Sequence, residues 1–168
     1  MDFILTTKHQ SSWKILLSNP NLQKMFFAYF ISFTGTAMAP IAMAFGVLEL
    51  TGSTHDTAFV IAAPTFASIL VLLLGGVIAD RTSRKKIIVA AESMSMLVQL
   101  IIAMLFLTGQ ANLIAMILLM SINGVAVAFN APAATGFITQ LVDKKDLQAT
   151  NALLGMARNS AVIIGAAL

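Results

Sequence analysis

"GGVIADRTSRKKI", residues 75–87, closes one long apolar run and opens another. Asp80, Arg81, Arg84, Lys85 and Lys86 crowd five charges into this turn, in a chain of 168 residues with only ten basic and seven acidic side chains. On one side lies Ala58–Ala79 and on the other Ile87–Leu107, each apolar over most of its length. A hydrocarbon core about 30 Å thick needs roughly 20 helical residues at 1.5 Å each. Each run is long enough, so the stretch reads as a charged turn joining two membrane-spanning helices.

Further out the pattern repeats. Met25–Leu50, Leu113–Ile138 and Leu147 to the end are apolar for comparable lengths. The whole chain is 58% hydrophobic and 10% charged, against about 25% charged in a soluble domain. No water-soluble globule of this size hides that much apolar surface, and the solvent is a membrane. The expected fold class is therefore an all-α membrane protein, a multi-span helical bundle. Its expected divisions are an N-terminal cytoplasmic arm at 1–24 and a transmembrane bundle at 25–168. The spans lie at about 25–50, 58–79, 87–107, 113–138 and 147–168. The first span far exceeds the ~7–15 residues of a signal-peptide core, so it is expected to stay as an anchor. Trp13, Ile15, Leu16 and Leu17 beside Lys14 suit either a short interfacial segment or an ordinary arm.

Lys and Arg set the orientation. Lys8, Lys14 and Lys24 precede the first span, Arg81, Arg84, Lys85 and Lys86 follow the second, and Lys144 and Lys145 follow the fourth. The alternate connections, 51–57 and 108–112, carry none. By the positive-inside rule the N-terminus and the 75–87 turn are cytoplasmic, in a multi-pass protein of the cell (plasma or inner) membrane. The net charge of +3 is thus a topology signal, and no nucleic-acid partner is expected. Cysteine is absent, which excludes a disulfide framework and a thiolate metal site. His9 and His55 both lie outside the spans and no His-Glu-x-x-His occurs, so no catalytic residue, metal or cofactor is expected and the chain does not read as an enzyme.

Small residues recur within the spans, among them Ala37, Ala39, Ala42, Ala44, Gly124, Ala126, Ala128, Gly155 and Ala157. In lipid such residues let helix backbones approach closely. "AMAPIAMAFG" in the first span and "AFNAPAATGF" in the fourth fit an inverted repeat of three helices, although Ala-Pro pairs also recur by chance. The sequence stops at Ala166-Ala167-Leu168, inside an apolar helix and without a cap, so a fragment lacking its C-terminal helical half is expected.

The turn also resembles something specific. Residues 76–86, "GVIADRTSRKK", follow the order Gly, three residues, Asp, Arg, two residues, Arg and a second basic residue. This resembles the signature loop between helices two and three of the major facilitator superfamily. "NPNLQKMFFAYFISFTGTAM", "LELTGS" and "DLQATNALLGMARNSAVIIGAAL" extend the similarity to the branch of drug and siderophore exporters. The resemblance covers about residues 19–168 and implies the N-terminal part of that fold, five of an expected twelve helices. It further implies a secondary transporter with alternating access and a gating motif of Gly76, Asp80, Arg81, Arg84 and Lys85 that stabilises the outward-facing state. The residues themselves allow such a latch. Gly75 and Gly76 permit a close neighbour, Asp80 suits a helix N-terminus, and Arg84 can form a forked hydrogen bond with Asp80. Equally, the cations can serve topology alone, the reading favoured for Lys85 and Lys86.

Departures from the pattern bear on mechanism. Ser83 replaces a glycine, and Asn123-Gly124 replaces Gln-Gly. Met120 stands where related antiporters carry an arginine implicated in proton coupling, which puts a proton as the coupling ion in question.

Among the polar residues within spans, Arg158 stands out. It lies about eleven residues into the fifth span, roughly 16 Å along the axis, and centring an arginine costs about 2.5–3.5 kcal/mol. Arg158 and Asn123 are the candidate substrate-binding residues; an internal ion pair is the alternative for Arg158. Glu92 and Gln99 read as structural. The function expected is efflux of small amphipathic compounds, with the lipid bilayer, a small-molecule substrate and a coupling proton as partners. The alternative is a non-transporting membrane scaffold or an inactive transporter fragment.

Overall fold

Six α-helices account for nearly all the residues that the structure, a computed structural model, describes. These are residues 12–81 and 83–167, with the side chains of 12, 13, 15, 73–81 and 141 outside the description. The helices are α1 (Ser12–Ser18), α2 (Pro20–Thr51), α3 (Thr54–Arg81), α4 (Arg84–Leu107), α5 (Leu113–Leu141) and α6 (Leu147–Ala167), with a 3₁₀ turn at Lys144–Asp146 before the last. No strand occurs among the described residues. By length and composition, helical stretches at Pro20–Thr51, Thr54–Leu72, Arg84–Leu107 and Leu113–Gln140 can cross a membrane. The fifth long helix, α6, has 21 residues but is diluted by Gln148, Asn151, Arg158 and Asn159.

Helix ends are set by local chemistry. The first spanning helix begins at Pro20, ahead of the apolar run at Met25, because Asn19 caps it. The Asn19 side-chain oxygen accepts from the Asn21 and Leu22 amides at 3.1 and 3.2 Å, and Pro20 needs no amide partner at the first helical position. Ser53 caps α3 through the Asp56 amide at 3.2 Å, and Asn112 caps α5 through the Ala115 amide at 2.9 Å. Helix α4 ends at a left-handed glycine, Gly109, with φ of 68°. There the Gly109 amide donates to the Phe106 carbonyl (3.2 Å) and the Gln110 amide to that of Leu105 (2.9 Å), which satisfies carbonyls that a helix end otherwise strands. At the charged turn only Thr82 and Ser83 separate α3 from α4. The motif read as a loop is therefore mostly helical: Gly76, Asp80 and Arg81 end α3, while Arg84 and Lys85 begin α4.

The chain forms two compact units, residues 1–38 with 139–168, and residues 39–138. In the first, α1 lies against α6, and Leu16, Leu22, Ala149 and Leu153 form a buried cluster joined by Phe26 and Val142. The start of α2 thus meets the start of α6. Further along, a side chain at Gly165 would strike the Thr34 carbonyl and the Ala37 methyl, the latter at 2.9 Å. Early meets early and late meets late, so α2 and α6 run parallel.

In the second unit the core is Met43, Val47, Val60, Ala63, Val98, Ile102, Met116 and Met120. Here α3 and α5 run parallel, touching at Pro64 and Gly124, where an added Cβ would lie 2.6 Å from the Pro64 Cα. Ser68 Oγ lies 2.7 Å from both the Pro64 and Gly124 carbonyl oxygens, and its single proton serves one at a time. Pro64 cannot donate to the ladder, and Ser68, one turn on, can bond its carbonyl or that of the neighbouring helix. The opposite pairing holds for α4 and α5: Ile87 and Ile88 near the start of α4 cluster with Phe129 and Ala133 near the end of α5. These helices are antiparallel, as consecutive membrane crossings must be when their connection is short.

Candidate functional site

The charged turn positions Arg84 at the first turn of α4, where it can reach the far end of α5. Its guanidinium occupies the space that a side chain at Gly136 would fill. Gly136 is buried and Arg84 half-buried, whereas Lys85 and Lys86 are exposed. The antiparallel α4–α5 pairing makes this contact, and the absence of a Cβ at position 136 makes room for a planar cation against the helix backbone. Gly136 escapes sequence reasoning because a glycine within a helix carries no charge or periodicity to mark it. Of the gating candidates, the side chains of Gly76, Asp80 and Arg81 lie outside the described residues, as does any pairing of Arg84 with Asp80.

Two turns further along α4, Glu92 accepts a hydrogen bond from Asn130 on α5, Nδ2 to Oε1 at 2.6 Å. The expectation of a structural role for Glu92 rested on its helix; the structure supplies a partner for it. Asn130 Oδ1 is buried and has no hydrogen-bond partner among the described residues. A side-chain hydrogen bond between membrane helices contributes about 0.6 kcal/mol on average.

Asn123 is half-buried in α5, next to the Gly124 that meets Pro64. Arg158 belongs to the other compact unit. It is exposed on α6, with the guanidinium carbon 5.0 Å from the centroid of the Phe33 ring on α2. Phe33 in turn abuts Tyr29, with ring centroids 5.4 Å apart and planes tilted by 54°. A cation over an aromatic face gains about 0.5–2 kcal/mol depending on desolvation, which offsets part of the cost of holding Arg158 at mid-helix. Among the described residues it makes no ion pair; the pair that does form, Lys145 with Asp143 at 3.7 Å, is exposed. Phe33 is a partner that no local pattern in the sequence announces.

Comparison with known proteins agrees with this architecture. A family described as transmembrane secretion effectors matches residues 11–168. Among curated proteins, the enterobactin exporter EntS of Shigella flexneri is 26% identical over 149 residues, covering 86% of this chain and 36% of that protein. The enterobactin exporters EntS of Shigella boydii serotype 18 and of Citrobacter koseri match to the same extent. The chain thus spans about a third of the length of the curated relatives it matches. No solved structure matches it. With the family match running from α1 to the end of α6, the chain belongs to the transmembrane secretion effector family of the major facilitator superfamily.

Proposed function

We propose that this chain serves as the N-terminal part of a secondary active efflux permease, which moves small amphipathic compounds of drug or siderophore type outward and leaves them chemically unchanged. Alternating access about a mid-membrane site is the mechanism. The observation that carries the reading is Arg158: a guanidinium at the middle of α6, over the Phe33 ring and with no carboxylate partner among the described residues. A cation held there at such cost belongs to a wet cavity through which a substrate passes. Asn123 is the second substrate contact in this proposal, and a proton is the coupling ion.

The inner turn is the gate. Gly76, Asp80, Arg81, Arg84 and Lys85 latch the cytoplasmic mouth while the site faces outward, with Arg84 seated on α5. The N-terminus lies in the cytoplasm, supported by the nine cations that fall on one side of the alternating helices. Efflux of macrolides and fluorescent dyes from cells expressing the full-length protein tests the proposal. Asp80→Asn should leave membrane insertion intact and cripple export, whereas normal export by that variant would remove the gate. Absence of efflux by the unmodified protein, across the whole panel, would remove the transporter.

A further inference from the structure

Asn130 is satisfied on one side only. Its Nδ2 donates to Glu92 Oε1 at 2.6 Å, while its Oδ1 is buried and accepts nothing among the described residues. Buried acceptors are nearly always paired, so an orphan asks for a donor. An ionised carboxylate cannot be that donor, because it has acceptor sites alone; a protonated carboxyl has one O–H. A carboxylic acid and a carboxamide meet edge to edge through two bonds, N–H to a carboxyl oxygen and O–H to the amide oxygen. The bond from Asn130 to Glu92 is one half of that ring, and the orphaned oxygen marks the other.

The pair sits on the seam where α4 and α5 run antiparallel. Arg84, Ile88 and Glu92 follow one another at four-residue spacing on α4 and share a face. Along it Arg84 meets Gly136, Ile88 joins the cluster with Phe129 and Ala133, and Glu92 meets Asn130. Glu92 is the one acidic residue of α4, a helix able to cross a membrane by length and composition, and an ionisable group in such a helix marks an ion or proton path by default. Its charged surroundings are sparse. Helix α5 has no Asp, Glu, Lys, Arg or His anywhere in Leu113–Leu141. On α4, Arg84, Lys85 and Lys86 lie about two turns nearer the charged turn. Helix α3 carries His55 and Asp56 at its start and Asp80 and Arg81 at its end, and α2 carries Lys24 and Glu49 toward its two ends. Glu92 is exposed, so the carboxyl is the side of the pair on which protons come and go.

We propose that Glu92 and Asn130 form the site that takes up the coupling proton. The proton adds to a carboxylate oxygen of Glu92, the new O–H donates to Asn130 Oδ1, and the reverse step restores the carboxylate with its single bond from Nδ2. The charge thus changes by one on the same seam that seats Arg84. This inference rests on the reading of the chain as part of a proton-coupled permease and assigns the residue that carries the proton.

The test uses the full-length protein. In lipid nanodiscs, infrared difference spectra on lowering the pH should gain a carboxylic-acid C=O band that Glu92→Gln lacks. In Asn130→Leu, or in Asn130→Ala should the first not assemble, that band should move to higher frequency, as an acid does on losing its partner. Gln at position 92 offers the same donor and acceptor as the protonated acid, so its melting temperature should not fall. In proteoliposomes with ethidium as probe, the ratio of transport with and without an imposed pH gradient should be at least tenfold for the unmodified protein. It should drop to about one in Glu92→Gln and recover in part in Glu92→Asp. A brace between helices predicts the same ratio in Glu92→Gln as in the unmodified protein, and that result would overturn the proposal. So would an acid band common to both proteins, or one that stays in place in the Asn130 variants. Ethidium transport indifferent to the gradient in the unmodified protein would remove the coupling proton and leave the transporter standing. No ethidium transport in either regime would count against the transporter, while the band shift decides the proton site by itself.

Discussion

The guanidinium of Arg84 fills the place of the side chain that Gly136 lacks. Any residue larger than glycine at 136 must displace it. Because the obstacle is the tip of a flexible side chain, the change in stability for Gly136→Ala should be small, under about 1 kcal/mol. The effect on export should be much larger if the seat holds the gate. Efflux rates compared at matched membrane abundance check this, with a several-fold loss expected.

Gly124 presents the opposite case. There a Cβ would meet Pro64 backbone, 2.6 Å from its Cα and closer still to its carbonyl oxygen, and backbone cannot swing aside. Gly124→Ala should force α3 and α5 apart and destabilise the protein by about 1–3 kcal/mol. Ser68→Ala removes only the Ser68 hydroxyl bond between the same helices and should cost about 0.6 kcal/mol. Unfolding in a detergent titration should rank the two accordingly.

Two glycines on α6 should respond in opposite ways. Gly165 faces the Thr34 carbonyl and the Ala37 methyl, while Gly155 faces open space. Gly165→Ala should lower the melting temperature by disrupting the α2–α6 contact. Gly155→Ala should leave it unchanged or raise it, with a helix-propensity gain of up to about 1 kcal/mol.

The absence of cysteine makes topology directly measurable. Gln110→Cys and Lys145→Cys both place a thiol at an exposed position in a connection. An impermeant maleimide should label position 110 in intact cells and position 145 only after permeabilisation.

What the sequence makes legible here, and what it conceals, follows from the range of the forces involved. Long apolar runs announce spans because transfer into lipid is a sum of local terms, and Arg158 is conspicuous because it breaks such a run. The start of α2 is less visible: Lys24 and Gln23 resemble an arm, and only the Asn19 cap with Pro20 shows that the helix already runs there. The resemblance in residues 76–86 pointed to the family that the match over residues 11–168 establishes. The partners of Arg84 and Arg158 are another matter. Gly136 and Phe33 meet them through helix pairing across the fold, and the register of two apolar helices is decided by small steric differences spread along both. Glu92 shows the same limit, since Asn130 becomes its partner only when α4 and α5 are set antiparallel.

The parallel course of α2 and α6 has a consequence for biogenesis. Two of the residues that cluster with Leu22, Ala149 and Leu153 on α6, leave the ribosome only after roughly 130 further residues, about 6–25 s later at ~5–20 residues per second. Throughout that interval the first spanning helix waits in the membrane without its mate. The Asn19 cap and the proline that follows it keep its leading end wound, so α6 finds a preformed surface on arrival instead of having to shape one.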